Sequence, residues 1–418
     1  MAPPRQAIPT EPNAVETLVR GPDWSAVRSD RMTVVVNAAN LTEAGARSVA
    51  TNFLRAHADS HRTDKLIVYV PPGRDYEGLA GPKIAIRTLP HLLQNRASRF
   101  LASGRWWRQM VKREQADAVF NMGNYSVPVS IPQVTLFHWA YAIYPESEVW
   151  QLMGRKDWVK RKLRCLFVRS HLPAASVVIA QTETAAERLR DLHGVQDVRV
   201  VPNAVSLQNA ERKGGPLPAL GPGGTRVRLL CFSRYNPHKN LEVLLPVAER
   251  LKRMNAPFQI VLTVGLQQHD NVKGLLRRIE RQGLTDYLWN IGPVAMQDVP
   301  RLYASVDALL FPTLLESFSQ TYVEAMHFGK PIFTSDRDFG RDVCGPAAFY
   351  FDPTEPEDIV RVVTAAYEDP EALSKRVEEG KRRVAAMPDW PTVAGMFMDI
   401  LHEVAAGRPA CSRKASIA

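Results

Sequence analysis

Short apolar runs recur along the chain and alternate with segments whose apolar residues are spaced for one face of a helix. In the first half these runs are rich in valine and isoleucine and are bounded by polar or glycine-containing turns, as buried strands are. The strands predicted there span residues 32–36, 66–70, 118–121, 134–137, 176–180 and 198–201. Strands alternating with amphipathic helices indicate βαβ units and a parallel sheet buried on both faces.

The same alternation restarts after a segment that cannot form a core. Residues 206–225 are crowded with glycine and proline, which predicts a linker. The strands predicted beyond it span residues 228–232, 258–264, 287–291, 308–311 and 331–334, and the helices span 241–254, 272–282, 299–304, 321–327, 356–367, 370–387 and about 392–405. Two α/β units of similar size imply a cleft between them, with ligands at the carboxyl ends of the strands.

The ends of the chain predict no membrane insertion or secretion. Residues 1–30 hold five prolines and no apolar core of a signal peptide, so a flexible leader is expected there. No apolar run approaches the ~20 residues that span a bilayer. The four cysteines lie far apart, which suits a reducing cytosol and predicts a cytoplasmic protein.

Composition places the chain among globular proteins, and its charge is unevenly distributed. Hydrophobic residues make up 45% and charged residues 23%, which excludes a disordered chain, a collagen and a coiled coil. The net charge is +10, and residues 1–205 hold 27 basic and 18 acidic residues against 26 and 25 in the remainder. The first half therefore suits an anionic partner, which on charge alone is nucleic acid, anionic lipid or an acidic substrate.

The most informative window spans residues 311–331. A predicted strand ends at Pro312, and a predicted helix stops at Gly329 before the next strand. Ser317 or Ser319 is expected to cap this helix. The helix N-terminus then presents free backbone N–H groups at the carboxyl end of a strand, which is an anion site.

Two carboxylates flank that helix start. Glu316 lies in the turn before the helix, and Glu324 lies about one turn inside it. Carboxylates placed beside an anion site suit hydroxyl groups next to a phosphate, as sugars provide. An ordinary strand–helix unit with solvated glutamates explains the same residues equally well from physics alone.

A second window, residues 232–240, also runs from a strand end into a helix. Its Arg234 and Lys239 suit a pyrophosphate, the arginine by its fork of donors and the lysine as a point charge. The alternative is a pair of surface bases near a turn. His238, between a proline and Lys239, is expected to be only a turn residue.

Taken together, the two windows resemble one family. The Glu-x7-Glu pair, the upstream Arg-x4-Lys, the Val-Pro-Asn at 201–203 and the Gly-Lys-Pro at 329–331 resemble the glycosyltransferases of family 4, also described as glycosyl transferases group 1. The resemblance is strong over about residues 197–400 and continues in pattern over 31–196. It implies an α/β GT-B fold, in which two Rossmann-like domains face each other across a cleft.

The resemblance also implies a division of the chain. Trp390 before the last helix resembles the family, whose final helix crosses back to the N-terminal domain. The implied division is a flexible leader at 1–30, an acceptor-side domain at 31–205, a linker at 206–225, a nucleotide-sugar domain at 226–388, a crossover helix at 389–406 and a disordered tail at 407–418.

Individual residues match the family position by position. Glu316 resembles the glutamate that contacts the donor sugar, and Glu324 resembles the one that binds the ribose hydroxyls. Arg234 and Lys239 resemble the pair that neutralises the donor diphosphate. His138 resembles a histidine that contacts the donor sugar from the N-terminal side. The expected catalytic residues are Glu316, His138, Arg234 and Lys239.

Further matches concern backbone positions. The turn at Ser317, Phe318 and Ser319 resembles the turn that cradles the sugar and phosphate, and Gly45 resembles a residue of the first-strand loop that approaches the diphosphate. The chain departs from the family pattern where glycines are usual at Ser317 and Ser319 and where aspartate is usual at Trp139. These departures bear on which sugar and acceptor are used.

The implied reaction is retaining transfer of a hexose, of mannose or glucose type, from a nucleoside-diphosphate sugar. The implied acceptor is lipid-linked or polysaccharide, in envelope glycan biosynthesis of O-antigen, capsule or exopolysaccharide type. The family implies front-face attack within an oxocarbenium-like ion pair, with no cofactor, no metal and no nucleophilic carboxylate.

Four different interpretations stay open beside this reaction. The Asp-Arg-Asp at 336–338 has the form of a divalent-metal motif, so a metal site there stays possible on sequence. A 2-epimerase-like enzyme and an inactive nucleotide-sugar-binding relative would share the donor-site residues. The basic first half is compatible, remotely, with a nucleic-acid-binding protein.

The basic half predicts a membrane surface. Segments 96–113 and 155–169 combine lysines and arginines with tryptophans on helical stretches, which is typical of surfaces that lie on anionic lipid. A solvated basic helix face is the alternative. No nucleic-acid-binding module is visible, so no nucleic-acid partner is expected. The expected location is peripheral, on the inner face of the cytoplasmic membrane.

Overall fold

The structure is a computed structural model that describes most of the chain. The described residues are 31–41, 44–72, 76–90, 93, 96–204, 219–222 and 226–407. The predicted leader, most of the predicted linker and the tail beyond Gly407 lie outside them, so the predicted domain boundaries stay predictions. Within the described ranges no helix has the length and apolar character needed to cross a membrane.

The first sheet has seven parallel strands in the order β3-β2-β1-β4-β5-β6-β7. Its strands are β1 Thr33–Asn37, β2 Lys65–Val70, β3 Ile84–Thr88, β4 Ala118–Asn121, β5 Gln133–Leu136, β6 Val177–Ala180 and β7 Val198–Val200. The helices of this half are α1 Ala44–Asp59, α2 Arg96–Arg113, α3 Val149–Leu152, α4 Arg155–His171 and α5 Glu183–His193.

The second sheet has six parallel strands in the order β10-β9-β8-β11-β12-β13. Its strands are β8 Val227–Cys231, β9 Phe258–Leu262, β10 Leu288–Asn290, β11 Ala308–Phe311, β12 Ile332–Ser335 and β13 Ala348–Phe351. The helices of this half are α6 Leu244–Arg253, α7 Asp270–Arg281, α8 Val299–Ala304, α9 Gln320–His327, α10 Asp338–Cys344, α11 Pro356–Tyr367, α12 Pro370–Ala385 and α13 Trp390–Ala405.

Both sheets share one topology, and it places the functional loops. Strand order reverses between β1 and β4 in the first sheet and between β8 and β11 in the second. Chain segments leaving the carboxyl ends of such neighbours diverge to opposite faces and open a crevice. The two windows of the sequence leave β8 and β11, so they meet at this reversal point.

The sequence pattern missed two of the four edge strands, β3 and β13, and found the other two, β7 and β10. In β3 only Ile84 is fully buried, and Arg87 and Thr88 are exposed, so the run lacks the continuous apolar character of the central strands. β13 is likewise half-buried in its middle. An edge strand needs apolar residues on fewer sides, so its sequence signal is weaker.

The last helix, α13, packs on the first sheet although it follows the second. Phe397 is fully buried between Phe53 of α1, with ring centroids 5.7 Å apart, and Phe120 of β4, at 5.3 Å. The polar side of α13 also pairs with the first half of the molecule. Glu403 accepts a hydrogen bond from Arg199 at 2.5 Å, and Asp399 accepts one from Arg62. This confirms the α/β fold prediction of two Rossmann-like sheets with a returning C-terminal helix.

Replacing Phe397 by alanine is expected to lower the free energy of unfolding by about 3–5 kcal/mol, because it removes an aromatic ring from a closed cluster. Equilibrium urea unfolding followed by circular dichroism measures the change. The exposed Thr392 of the same helix provides the control, and Thr392→Ala should change stability by less than about 0.5 kcal/mol. Equal effects of the two substitutions would show that α13 does not anchor the fold.

Candidate active site between the two sheets

The loops that leave β8 and β11 are fastened to each other through one residue. The carbonyl of His238 accepts from the backbone N–H of Leu314 at 2.7 Å and from the hydroxyl of Thr313 at 3.1 Å. β8 and β11 also pair directly, with Leu229 opposite Ala308. The two sequence windows therefore form one surface at the carboxyl end of the second sheet.

An ion pair lies at the centre of that surface. Lys239 Nζ is 2.5 Å from Glu316 Oε1, and both side chains are largely buried. The Thr313 hydroxyl shares its single proton between this carboxylate oxygen, at 2.8 Å, and the His238 carbonyl. Lys239 lies 4.6 Å from the centroid of the Phe311 ring. Shielding from water strengthens such a pair, so an incoming anion meets a cation held in one place.

Arg234 lies in the same loop as Lys239 and is exposed. Among the described residues no carboxylate pairs with its guanidinium. The neighbouring backbone is anchored, because the N–H of Tyr235 donates to Gln268 Oε1 at 2.8 Å. The loop thus carries one neutralised lysine and one arginine whose charge is available to an anionic ligand.

The turn before α9 differs from its expected capping. Ser319 is the residue before the helix, but its hydroxyl makes no capping bond, and the Ser317 hydroxyl donates instead to the carbonyl of His138 at 3.2 Å. The prediction that one of these serines caps the helix is therefore wrong. The first N–H groups of α9 are left without a side-chain cap, which keeps them available to an anion.

Ser319 also adopts a backbone conformation that favours glycine. Its φ is +64°, in the left-handed region that side chains other than glycine seldom occupy. Such a conformation costs about 1–3 kcal/mol and persists only where the surroundings hold it. This is one of the two turn positions where the resemblance leads one to expect glycine, and the backbone here has a conformation that favours glycine.

Glu324 lies one turn into α9 and is almost completely buried. Burial raises the pKa of its carboxyl to about 7, and the hydroxyl of Tyr303, which donates to Oε2 at 3.5 Å, opposes that rise. At neutral pH the group is close to half-protonated. It can therefore either donate or accept a hydrogen bond to a hydroxyl group.

His138 follows β5 and faces the second half of the molecule. Its backbone N–H donates to Asn124 Oδ1 at 2.7 Å, which fixes that amide so that Asn124 Nδ2 lies 3.2 Å from the ring Nε2. Burial, and then the charge of Arg164, lower the pKa of His138 to about 4. The ring is thus neutral with its proton on Nδ1, and this buried N–H has no partner among the described residues.

Gly45 is not where the sequence pattern placed it. It lies exposed in the first turn of α1, and a Cβ at this position would meet no atom within 4 Å. The expectation of a position in the loop after the first strand is therefore wrong. Its part in binding a diphosphate stays a prediction.

The sequence pattern does not reveal the contacts between the two halves. The hydroxyl of Tyr141 lies 3.0 Å from His238 Nδ1, and burial lowers the pKa of His238 well below its usual value. His238 is thus a bridging residue as well as a turn residue.

A second contact between the two halves involves Ser317, because Gln181 and Thr182 lie against it at 3.5 Å each. These two directly follow a predicted strand, which was a usable signal, whereas nothing in the sequence pairs Tyr141 with His238.

The Asp-Arg-Asp at 336–338 joins the two halves. Asp338 accepts from Arg188 at 2.7 Å and from Tyr144 at 3.1 Å, and Arg337 pairs with Glu148 at 2.6 Å. The described residues contain no group of three or more His, Cys, Asp or Glu side chains suited to a metal ion. The aspartate that a metal site would need here is therefore engaged by an arginine and a tyrosine.

Two family models match the chain. The model described as Glycosyltransferase Family 4 matches residues 44–209, and the model described as Glycosyl transferases group 1 matches residues 218–383. The two matches cover most of both sheets.

Curated relatives match part of the chain. An MMP alpha-(1->4)-mannosyltransferase of Mycolicibacterium hassiacum is 25% identical over 45% of this chain and 46% of its own length. An O-antigen chain mannosyltransferase B of Escherichia coli is 29% identical over 34% of this chain and 36% of its own length. The matches thus span less than half of these relatives.

A solved structure matches almost end to end. Anabaena Alr3699/HepE in complex with UDP-glucose superposes with a TM-score of 0.63 at 17% identity, covering 89% of this chain and 99% of that chain. At this identity the likeness concerns the fold, which is GT-B.

Glu324 is expected to make stability depend on pH. Its folded pKa lies above its ordinary value of 4.5, so the folded chain binds this proton more tightly, and the contribution of Glu324 to the free energy of unfolding falls as pH rises from 4.5 to about 7. Glu324→Gln stays neutral, so it should lose this contribution, and its stability relative to the unsubstituted protein should rise by about 3 kcal/mol across this range. Urea unfolding over a pH series measures it.

The exposed Glu368 is the matched control. Glu368→Gln should leave the slope of stability against pH unchanged in the same range. If Glu324→Gln kept the slope of the unsubstituted protein, the carboxyl of Glu324 would be ionised throughout, and burial would not govern its proton.

Proposed function

Because the chain belongs to family 4 of the glycosyltransferases, we propose that it transfers a hexose from a nucleoside-diphosphate sugar to a lipid-linked or polysaccharide acceptor, with retention of configuration. The observation that carries the proposal is the pairing of Lys239 with Glu316 beside an uncapped helix N-terminus. Lysine, arginine and backbone N–H groups converging on one place suit a diphosphate, and a carboxylate next to them suits a sugar hydroxyl.

In the proposed reaction, negative charge develops on the diphosphate as the glycosidic bond to it breaks. Lys239 and Arg234 stabilise that charge together with the N-terminus of α9, because all three are in place before the bond breaks. Binding of the diphosphate draws Lys239 away from Glu316, which frees the carboxylate to accept from a donor-sugar hydroxyl. Since charge is met by protein groups, the reaction is proposed to need neither a metal nor a cofactor.

His138 and Glu324 hold the two ends of the donor in this proposal. The neutral His138 donates its Nδ1–H, which has no partner among the described residues, to an oxygen of the sugar. Glu324, buried one turn into α9, receives the ribose hydroxyls. The turn at Ser317, Phe318 and Ser319 lies between them. A neutral histidine suits this role because an imidazolium would compete with Lys239 for the diphosphate.

The donor sugar is proposed to be mannose first and glucose second. Both curated relatives are named mannosyltransferases, whereas the matched solved structure is described in complex with UDP-glucose. One relative is named for the O-antigen chain, which supports an envelope glycan as the product. The proposed location is the cytoplasmic face of the membrane, where such acceptors are lipid-linked.

Glu316→Ala and Lys239→Ala are each expected to lower transfer by at least ~100-fold, a typical loss when a group aimed at developing charge is removed. Transfer and hydrolysis are followed with a panel of GDP-mannose, UDP-glucose, UDP-galactose and UDP-N-acetylglucosamine. The exposed pair Glu368→Ala and Lys375→Ala serves as the control and should keep full activity. Circular dichroism checks that all four variants are folded.

The panel also separates the rival activities. A 2-epimerase-like enzyme would consume a nucleotide sugar without an acceptor and release or convert the sugar. An inactive relative would show a thermal shift with a nucleoside diphosphate, because a bound ligand stabilises the native state, but no turnover. Unchanged transfer by both site variants would place the reaction elsewhere in the molecule.

A further inference from the structure

The outer face of α4 carries an exposed apolar ridge. Val159, Leu163 and Leu166 are 43%, 61% and 63% exposed, and their spacing places them on one side of the helix. Trp158 and Leu152 are exposed nearby at 41% and 61%. Of the eight large apolar side chains that are exposed in the described residues, five thus lie within residues 152–166.

Basic residues border this ridge. They are Arg155, Lys156, Lys160, Lys162 and Arg169. The ammonium group of Lys162 lies 3.9 Å from the Trp150 ring centroid and 5.7 Å from that of Trp158. A ridge of apolar residues flanked by lysines and arginines is the arrangement of a helix that lies in the plane of a membrane interface.

The acidic residue of α4 is turned away from the ridge. Asp157 accepts from Arg161 at 3.0 Å and from His269 of the second half at 3.0 Å. The outer face of α4 therefore presents bases without a neighbouring carboxylate from the same helix. Its charge complements an anionic surface and is not cancelled locally.

A cavity of about 160 Å³ adjoins the ridge. Its wall includes Leu166 of the ridge and Lys162 and Arg169 of the border, with Trp150 and Leu192 opposite. The wall is mainly apolar with bases at hand. This half-open depression extends the apolar surface of the ridge.

The other basic segment shows no such ridge among its described side chains, which are those of residues 104–113. In α2, Trp107 is only 3% exposed, and Trp106 and Trp107 pack edge-on against Tyr69 at 5.0 and 5.5 Å. Trp107 belongs to the core and Trp106 packs partly buried against it, so the expectation that Trp107 forms part of a membrane surface is wrong. Arg108 and Lys112 of α2 are exposed bases without an exposed aromatic neighbour on their helix among the described side chains.

We infer that α4 docks the protein on an anionic phospholipid bilayer, with the ridge of Val159, Leu163 and Leu166 at the acyl boundary and its bases on the headgroups. The same helix contacts the cleft, since the guanidinium of Arg164 lies 4.1 Å from the Trp139 ring centroid, next to His138. Docking therefore brings the membrane surface within one helix of the candidate site. Docking on the membrane does not depend on the proposed function, whereas delivery of a lipid-linked acceptor rests on it.

The test is co-sedimentation of the full chain with phosphatidylcholine vesicles, with and without phosphatidylglycerol, at an ionic strength of about 0.15 M. Binding is expected only with the anionic lipid. Lys156→Gln with Lys160→Gln should weaken it about thirtyfold, since each base near an anionic surface is worth about 1 kcal/mol. Leu163→Ser with Leu166→Ser should weaken it at least about tenfold, because apolar area no longer leaves water.

The control removes the same charge elsewhere. Arg108→Gln with Lys112→Gln should leave vesicle binding within about twofold, although the net charge matches that of the α4 lysine variant. An equal loss in both charge variants would show attraction by bulk charge and overturn docking through α4. A lack of vesicle binding by the unsubstituted chain would also overturn it. DNA binding that outcompetes vesicles and persists in the Leu163→Ser, Leu166→Ser variant would overturn it as well.

The two failures are distinguishable. The ridge variant is expected to keep the thermal shift with nucleoside diphosphates and the turnover of a water-soluble acceptor, because its leucines do not touch the candidate site. Vesicle binding without any sugar turnover in the unsubstituted chain would reject the proposed function and retain the docking surface. Sugar turnover without vesicle binding would do the reverse.

Discussion

The candidate site depends on the turn around His238. The carbonyl of this residue ties the β8 loop to the β11 loop, and its ring meets Tyr141 from the other half of the molecule. Lys239, the next residue, is thereby held opposite Glu316. The contacts of this one, partly buried residue thus set the position of the central ion pair.

The relation between the two sheets rests on contacts at both ends of the second half. Asp338 and Arg337 pair with the first half beside the cleft, and α13 returns to bury Phe397 within the first sheet. The ion pairs are partly exposed and are therefore weak individually, whereas the helix buries an apolar face. The helix is therefore the stronger of the two connections between the halves.

Helix α4 links the outer surface to that cleft. Its inner side carries Arg164 against Trp139 and Asp157 against His269, and its outer side carries the apolar ridge. One helix therefore has opposite faces, one toward the cleft and one toward the surroundings of the protein.

The sequence by itself determined the α/β class, the two-sheet division, the loops that bear Arg234, Lys239 and Glu316, and the helix that bears Glu324. The spacing of apolar residues, the turn residues and the motif spacing depend only on residues near one another in the chain, so the sequence alone reveals them. It could not reveal the edge strands β3 and β13, whose exposed residues weaken the pattern. Only the tertiary structure decided that Trp107 is core while Leu163 is surface, and that Tyr141 meets His238, because burial and long-range contacts depend on which faces the packed elements present to one another.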